Sequence, residues 1–269
     1  MIRNPVVSGS FYPSSASKIE GMIKGFLPQD KPAQTEAIGC ILPHAGYIYS
    51  GKVAALTLSQ IDIPEKVILF GPNHTGLGLS FSLMPKGVWS TPLGEVNIDS
   101  NLAGLILRNS RRIKEDYLAH AKEHSLEVEL PIIQYFKNDF EIVPIAFLSD
   151  NLGVLIEEGI NIAKAIKDYS ACKVLLVASS DMTHYEPEAE AREKDNQAIE
   201  AILSLDEKKL MERIASFNIS MCGYAPVIAM LSCAKELGAS KGKLVAYQTS
   251  AEASKDKTSV VGYAGIILN

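Results

Sequence analysis

Four residues combine imidazole or thiol chemistry with a place at the edge of an ordered element: His44, His74, His184 and Cys222. Imidazole titrates near neutrality, so it binds a metal as the neutral base and moves protons at cellular pH. His44 follows the apolar run Ile38–Leu42 in Pro43-His44-Ala45-Gly46-Tyr47, and His74 follows Val67–Phe70 in Gly71-Pro72-Asn73-His74. His184 comes after Val174–Ala178, in Ser179-Ser180-Asp181-Met182-Thr183-His184-Tyr185. Ligands of open α/β sheets bind beyond the carboxyl ends of the strands. A lone histidine there is usually a hydrogen-bonded structural residue, but three in the same topological position favour one shared polar site. Cys222, in Ser220-Met221-Cys222-Gly223-Tyr224-Ala225-Pro226, precedes a helix whose partial positive charge is expected to ease thiol ionisation, giving a metal ligand or nucleophile. An inert buried thiol is the competing reading.

Other patterns are weaker. His120 and His124 stand i, i+4 near the start of a helical stretch, with Glu127 and Glu129 following. A solvated helix face explains these charges, and so does a shell of carboxylates orienting ligand imidazoles. Gly46 to Lys52 spells G-x-x-x-x-G-K, but Val53 replaces the hydroxyl that holds Mg²⁺ in a phosphate loop. No G-x-S-x-G elbow supports a serine hydrolase around Ser179 and Ser180.

The elements that must position these residues are legible. Apolar, β-branched runs at Ile38–Leu42, Lys66–Phe70, Phe140–Phe147, Lys173–Ala178, Lys243–Tyr247 and Val260–Leu268 read as buried strands. Helical spacing covers Ser50–Gln60, Lys122–Phe136, Asn151–Tyr169, Glu188–Leu203, Glu207–Ala215 and Gly223–Leu237, with Asp150 and Asp206 as N-caps and Gly238 as a C-cap. Phe81–Met84 and Glu95–Asp99 read as an inserted hairpin around the turn-rich Trp89 to Gly94. This alternation predicts an α/β fold with a mostly parallel or mixed central sheet and helices on both faces. No linker divides the 269 residues, so one domain over 1–269 is expected.

With 47% apolar residues the chain can build a sizeable core, and its net charge of −5 with interspersed signs offers no track for nucleic acid. No apolar run approaches the ~20 residues of a membrane span, and no secretory signal is evident, so a cytoplasmic location is expected. The four cysteines lack a C-x-x-C pair and are expected to be reduced, Cys40, Cys172 and Cys233 as small buried hydrophobes.

Taken together, Gly9-Ser10-Phe11-Tyr12-Pro13, Pro43-His44-Ala45-Gly46-Tyr47 with Tyr49-Ser50-Gly51, Gly71-Pro72-Asn73-His74, Glu123-His124-Ser125-Leu126-Glu127, Ser180-Asp181-Met182-Thr183-His184-Tyr185 and Cys222-Gly223 resemble the Memo family, of the AmmeMemoRadiSam system protein B type, along essentially the whole chain. The resemblance implies a fold similar to the catalytic subunit of class III extradiol ring-cleavage dioxygenases, whose iron is held by two histidines and a glutamate beside an acid/base histidine. Carried over, His44 and His74 are the ligand histidines, His184, oriented by Asp181, is the acid/base residue, and Cys222 stands in the carboxylate position. A thiolate is softer than a carboxylate and favours copper, zinc or tuned iron. The implied cofactor is one transition-metal ion, iron or copper first and zinc as a further option. His124, Glu127, Tyr49 and Asn73 are candidates for orienting ligands or touching substrate.

The leading expectation is therefore a metal-dependent oxidoreductase acting on an unidentified small molecule. The family's other described roles leave a second expectation open, a peptide- or ligand-binding module using Phe11, Tyr12, Tyr47 and Tyr49, and a zinc hydrolase is a third. The resemblance also implies a functional link to a radical-SAM protein.

Overall fold

The computed structural model describes residues 1–30, 32–169 and 172–269. Its strands are β1 (Ile2–Arg3), β2 (Gly39–Leu42), β3 (Lys66–Pro72), β4 (Phe81–Leu83), β5 (Val88–Thr91), β6 (Gly94–Ile98), β7 (Lys114–Glu115), β8 (Glu141–Phe147), β9 (Val174–Ser179), β10 (His184–Glu186), β11 (Gly242–Thr249) and β12 (Val260–Leu268). Its helices are α1 (Ala16–Phe26), α2 (Tyr47–Leu58), α3 (Ser100–Asn109), α4 (Leu118–Ala121), α5 (Ser125–Phe136), α6 (Leu152–Tyr169), α7 (Glu188–Leu203), α8 (Glu207–Ser216), α9 (Tyr224–Glu236) and α10 (Ala251–Ser254).

Strands β8, β3, β9 and β2 lie side by side and parallel, and β12 continues the sheet antiparallel to β2. Their apolar runs are continuous because both faces are covered. Side chains alternate across the sheet. Ile41, Ile68, Phe70, Leu176 and Ala178 join the core beneath α3, α6 and α9. Cys40, Leu42, Val67, Leu69, Leu175 and Val177 join the opposite core, beneath α1, α2 and α5. The expected mixed sheet with helices on both faces is what forms, and no helix of the described residues is long and apolar enough to cross a membrane.

Several local expectations change. Asp206 caps α8 by accepting the Lys209 N–H, but α6 is capped by Asn151, whose Oδ1 accepts from Val154 N, and not by Asp150. Gly238 follows α9 with φ +102°, as a C-terminal glycine should. The hairpin is β5 with β6, so the turn-rich segment supplies a strand itself, while β4 pairs with β8 and β7. Amphipathic α1 and α3 carry helices where none was expected. Cys40 and Cys233 are buried, but Cys172 is exposed.

Candidate metal centre

Strand order places the carboxyl end of β9 between those of β3 and β2, so the loops after these three strands open onto one volume. His44 stands two residues beyond β2, His74 two beyond β3, and Asp181 two beyond β9. From one face of the sheet comes the segment leading into α5, and from the other the segment leading into α9. Two glycines permit those approaches. A Cβ on Gly71 would sit 2.5 Å from Leu126 Cδ2, where α5 abuts β3. One on Gly223 would lie 2.3 Å from the Ser179 carbonyl, so only glycine lets Cys222 reach the end of β9, and Gly223 N then donates to Ser180 Oγ at 3.0 Å.

His44, His74 and Cys222 each present a ligand atom, all within 4.8 Å of one another. The Cys222 Sγ lies 3.4 Å from His44 Nε2. The rings of His44 and His74 meet edge to face, centroids 5.1 Å apart. Each ring has its other nitrogen engaged. His44 Nδ1 lies 2.8 Å from Ser179 Oγ, and His74 Nδ1 lies 2.9 Å from Glu123 Oε1. With those nitrogens donating, each ring keeps its Nε2 as the unprotonated, accepting nitrogen, the tautomer a metal ligand requires. Two imidazoles and a thiol at this spacing form a donor set suited to a borderline or soft transition metal. A carboxylate-rich cage for calcium or magnesium would look different.

Burial dominates the electrostatics. His44 is held well below the usual histidine range, chiefly by burial and then by neighbouring His74 and His124, which keeps its ring neutral. Burial pushes the Cys222 thiol up, reinforced by the nearby Asp181 carboxyl. This overturns the expected helix effect, because Cys222 precedes the N-cap Gly223 and sits where desolvation outweighs the helix charge. Asp181 itself is pushed up to about 7 by burial, against hydrogen bonds from the His44 and Ala45 backbone.

Other candidates take different posts. His184 does not end the same strand as Asp181; it begins β10, paired with Val261 of β12. Its ring Nδ1 lies 2.9 Å from the Ser220 carbonyl, whereas Asp181 Oδ1 accepts the His44 backbone N–H at 2.8 Å, so Asp181 orients the His44 loop and not His184. His124 belongs in the imidazole cluster itself, its ring stacked on His74 at 4.8 Å and 5.6 Å from His44. His120 lies apart in α4, buried, with Nε2 3.1 Å from the Ser82 carbonyl. Glu127 does not orient a ligand: it pairs with Arg3 and accepts from Tyr12 OH and the Val6 and Val7 N–H groups, tying down the N-terminal segment. Asn73 folds its own loop, donating to the Leu77 carbonyl and accepting from Thr75 and Gly76.

The solvated-face reading of these charges fails, since Glu123, Glu127, Glu129 and His120 are all buried. Of the aromatic quartet, Tyr12 and Tyr47 are core residues, Tyr47 donating to the Val128 carbonyl. Phe11 packs against His124 at 4.9 Å, and Tyr49 is half-buried. The residue most clearly missed is Glu123. Its carboxylate accepts both N–H groups of His74 and the backbone N–H of His124 and Ser125, and these partners, against burial, hold it down at about 2. Its place just before an N-terminal helical turn, where free N–H groups await an acceptor, was the available signal. Glu129, expected either on a solvated face or in a shell of carboxylates orienting imidazoles, lies behind Ser179, which contacts His44 Nδ1.

A cavity of about 430 Å³ beside the cluster is lined by His74, Cys222, Phe147, Tyr224 and Pro226, room for a small molecule next to the ligand atoms. A larger one, about 720 Å³, lies at the opposite, amino-terminal end of the central strands between Ile38, Lys173 and Leu237, where no ligating cluster forms among the described residues.

Known proteins show the family to which this chain is similar. The family model described as Memo-like protein matches residues 3–267. A MEMO1 family protein of Methanopyrus kandleri is 40% identical, the alignment covering 99% of each chain. One of Ignicoccus hospitalis is 42% identical over 99% of this chain and 98% of its own, and one of Methanosarcina barkeri 42% over 99% and 100%. The crystal structure of the uncharacterized Escherichia coli K12 protein JW3007 is similar with a TM-score of 0.49 at 15% identity, covering 84% of this chain and 98% of that one. Identity of this order along the full length places the chain in the Memo family.

Proposed function

We propose that this protein holds one transition-metal ion between His44, His74 and Cys222 and acts as a metal-dependent redox enzyme on a small molecule bound in the adjoining cavity. The observation that carries this reading is the convergence of three ligand atoms within 4.8 Å, from three separate segments, with both imidazoles held through their Nδ1 atoms. Held by these residues, iron or copper would supply one-electron chemistry. The chain does the rest. Ser179 and Glu123 fix the ring orientations, Asp181 fixes the loop carrying His44, and Gly223 sets the depth of Cys222.

His184, with Nδ1 on the Ser220 carbonyl, keeps Nε2 for passing a proton to or from substrate. The likeness of the His44, His74 and His184 motifs to class III extradiol dioxygenases supports O₂-dependent oxidation as the reaction class. Cys222 in place of the carboxylate makes ring cleavage itself the part to be tested.

Tag-free protein purified without air should take up one equivalent of iron or copper, and His44→Ala should abolish that uptake. Failure of uptake, or undiminished binding by His44→Ala, would sink the reading. Colour development from a catechol panel with Fe²⁺ under air would specify a ring-cleaving dioxygenase, and silence across the panel would remove that chemistry while leaving the metal site.

A further inference from the structure

Glu129, midway along α5, is fully buried and makes no ion pair among the described residues. Its Oε1 lies 2.7 Å from Ser179 Oγ, and its Oε2 has no hydrogen-bond partner. A buried ionised carboxylate without a counter-charge is costly, and one with a bare oxygen more so. The titratable groups facing it are Cys40 on β2, Tyr47 on α2 and Asp181 after β9, none of them cationic. Burial, with Asp181 nearby, pushes Glu129 well above the usual carboxyl range.

The Ser179 hydroxyl adds an independent, geometric argument. It contacts three groups: His44 Nδ1 at 2.8 Å, Glu129 Oε1 at 2.7 Å and the Ser125 carbonyl at 2.9 Å. A hydroxyl has one proton to donate and two lone pairs. With Glu129 protonated on Oε1, every contact is satisfied: the carboxyl O–H and His44 Nδ1–H donate to Oγ, and Oγ–H donates to Ser125. With Glu129 ionised, Ser179 must turn its proton from the Ser125 carbonyl to Oε1, leaving Ser125 without that bond.

We propose that Glu129 is a proton store behind the metal centre. It is a neutral carboxyl in the metal-free protein and releases its proton to solvent when a divalent cation binds His44 Nε2, as Ser179 turns from Ser125 to Glu129. One O–H bond breaks, one proton leaves, and nothing is oxidised or reduced. The ligated imidazole carries added positive charge on its Nδ1–H, and the carboxylate formed two hydrogen bonds away offsets it. This inference rests on the proposed metal site, and the two fail differently.

Zinc chloride is titrated into the full-length metal-free protein in buffers of different ionisation enthalpy, which counts protons released per ion, and infrared spectra follow the C=O stretch of protonated carboxyls. Wild type should show a buried protonated carboxyl band that disappears with zinc. Glu129→Gln should lack that band, still bind one zinc, and release about one proton fewer per ion. Ser179→Ala should keep the band but retain it after zinc is added. A metal-free protein without the band, or a Glu129→Gln variant with the wild-type proton count, overturns the proton store while leaving the site. Absence of zinc binding to wild type overturns both.

Discussion

His44 and His74 reach the same ligand cluster by opposite mountings. His74 is half-exposed and held directly by an ionised carboxylate, Glu123, itself fixed by four N–H donors. His44 is buried and held by a neutral hydroxyl, with a carboxyl one step further back. A direct carboxylate makes an imidazole more basic and strengthens its hold on a cation; a hydroxyl fixes the tautomer with little charge. The site thus has one electrostatically strong ligand at its mouth and one electrostatically mild ligand at its floor, with the thiol between.

The largest break in this asymmetry is Glu123→Gln. An amide cannot accept four N–H bonds with the same strength, so metal affinity is expected to fall 10–100-fold, measured by zinc titration. Stability of the metal-free protein separates two carboxyls of opposite sign. Glu123, held at about 2 in the folded chain, stabilises above its unfolded value, by on the order of 3 kcal/mol, and that is lost as pH falls from 4.5 through about 2. Asp181, raised to about 7, behaves in reverse: its contribution is complete below the unfolded value of 3.8 and is lost as pH rises through about 7. Denaturant unfolding against pH should show both limbs, with Glu123→Gln flattening the acid limb and Asp181→Asn the neutral one. Identical profiles for all three proteins would remove the electrostatic account.

A smaller break concerns the thiol between the two imidazoles. Gly223→Ala forces a Cβ against the Ser179 carbonyl and Ser180 side chain, so the loop must retreat. Overpacking of this kind costs about 1–3 kcal/mol, and Cys222 should move away from His44 Nε2. Loss of the sulfur contribution from the X-ray absorption spectrum of the copper- or zinc-loaded variant is the readout. A variant that keeps metal–sulfur ligation would show that Gly223 serves only packing.

Much of this was legible in the sequence because periodicity reports which residues are covered. Continuous apolar runs marked β2, β3, β8, β9 and β12 within a residue or two, and strand-end position found His44 and His74. What could not be read is which polar residue faces which. Glu123, Glu127 and Glu129 share one short charged stretch, yet one clamps His74, one ties Arg3 and Tyr12, and one lies behind Ser179. Those destinations depend on side-chain direction around α5 and on contacts spanning 49 to 124 residues of sequence, which spacing does not encode. His184 was misplaced for a related reason. Four residues separate β9 from β10, enough for the chain to leave one strand end and join the sheet's far edge through β12.

That edge position makes His184 the test of how far the ligand set extends. Its neighbour Tyr185 is 78% exposed and holds φ +60°, a left-handed conformation that disfavours a side chain, at a bulge in the β10–β12 pairing. Tyr185→Gly relieves that strain but loosens the unfolded chain, and the two effects differ by within about 1 kcal/mol, in the stabilising direction. Only an edge-on ring contact with His184, centroids 5.8 Å apart, is lost. If His184 moves protons and holds no metal, this substitution should leave zinc affinity unchanged, while any turnover falls as the ring gains freedom. A fall in zinc affinity in Tyr185→Gly would instead bring His184 into the ligand set and dissolve the two-mounting asymmetry between His44 and His74.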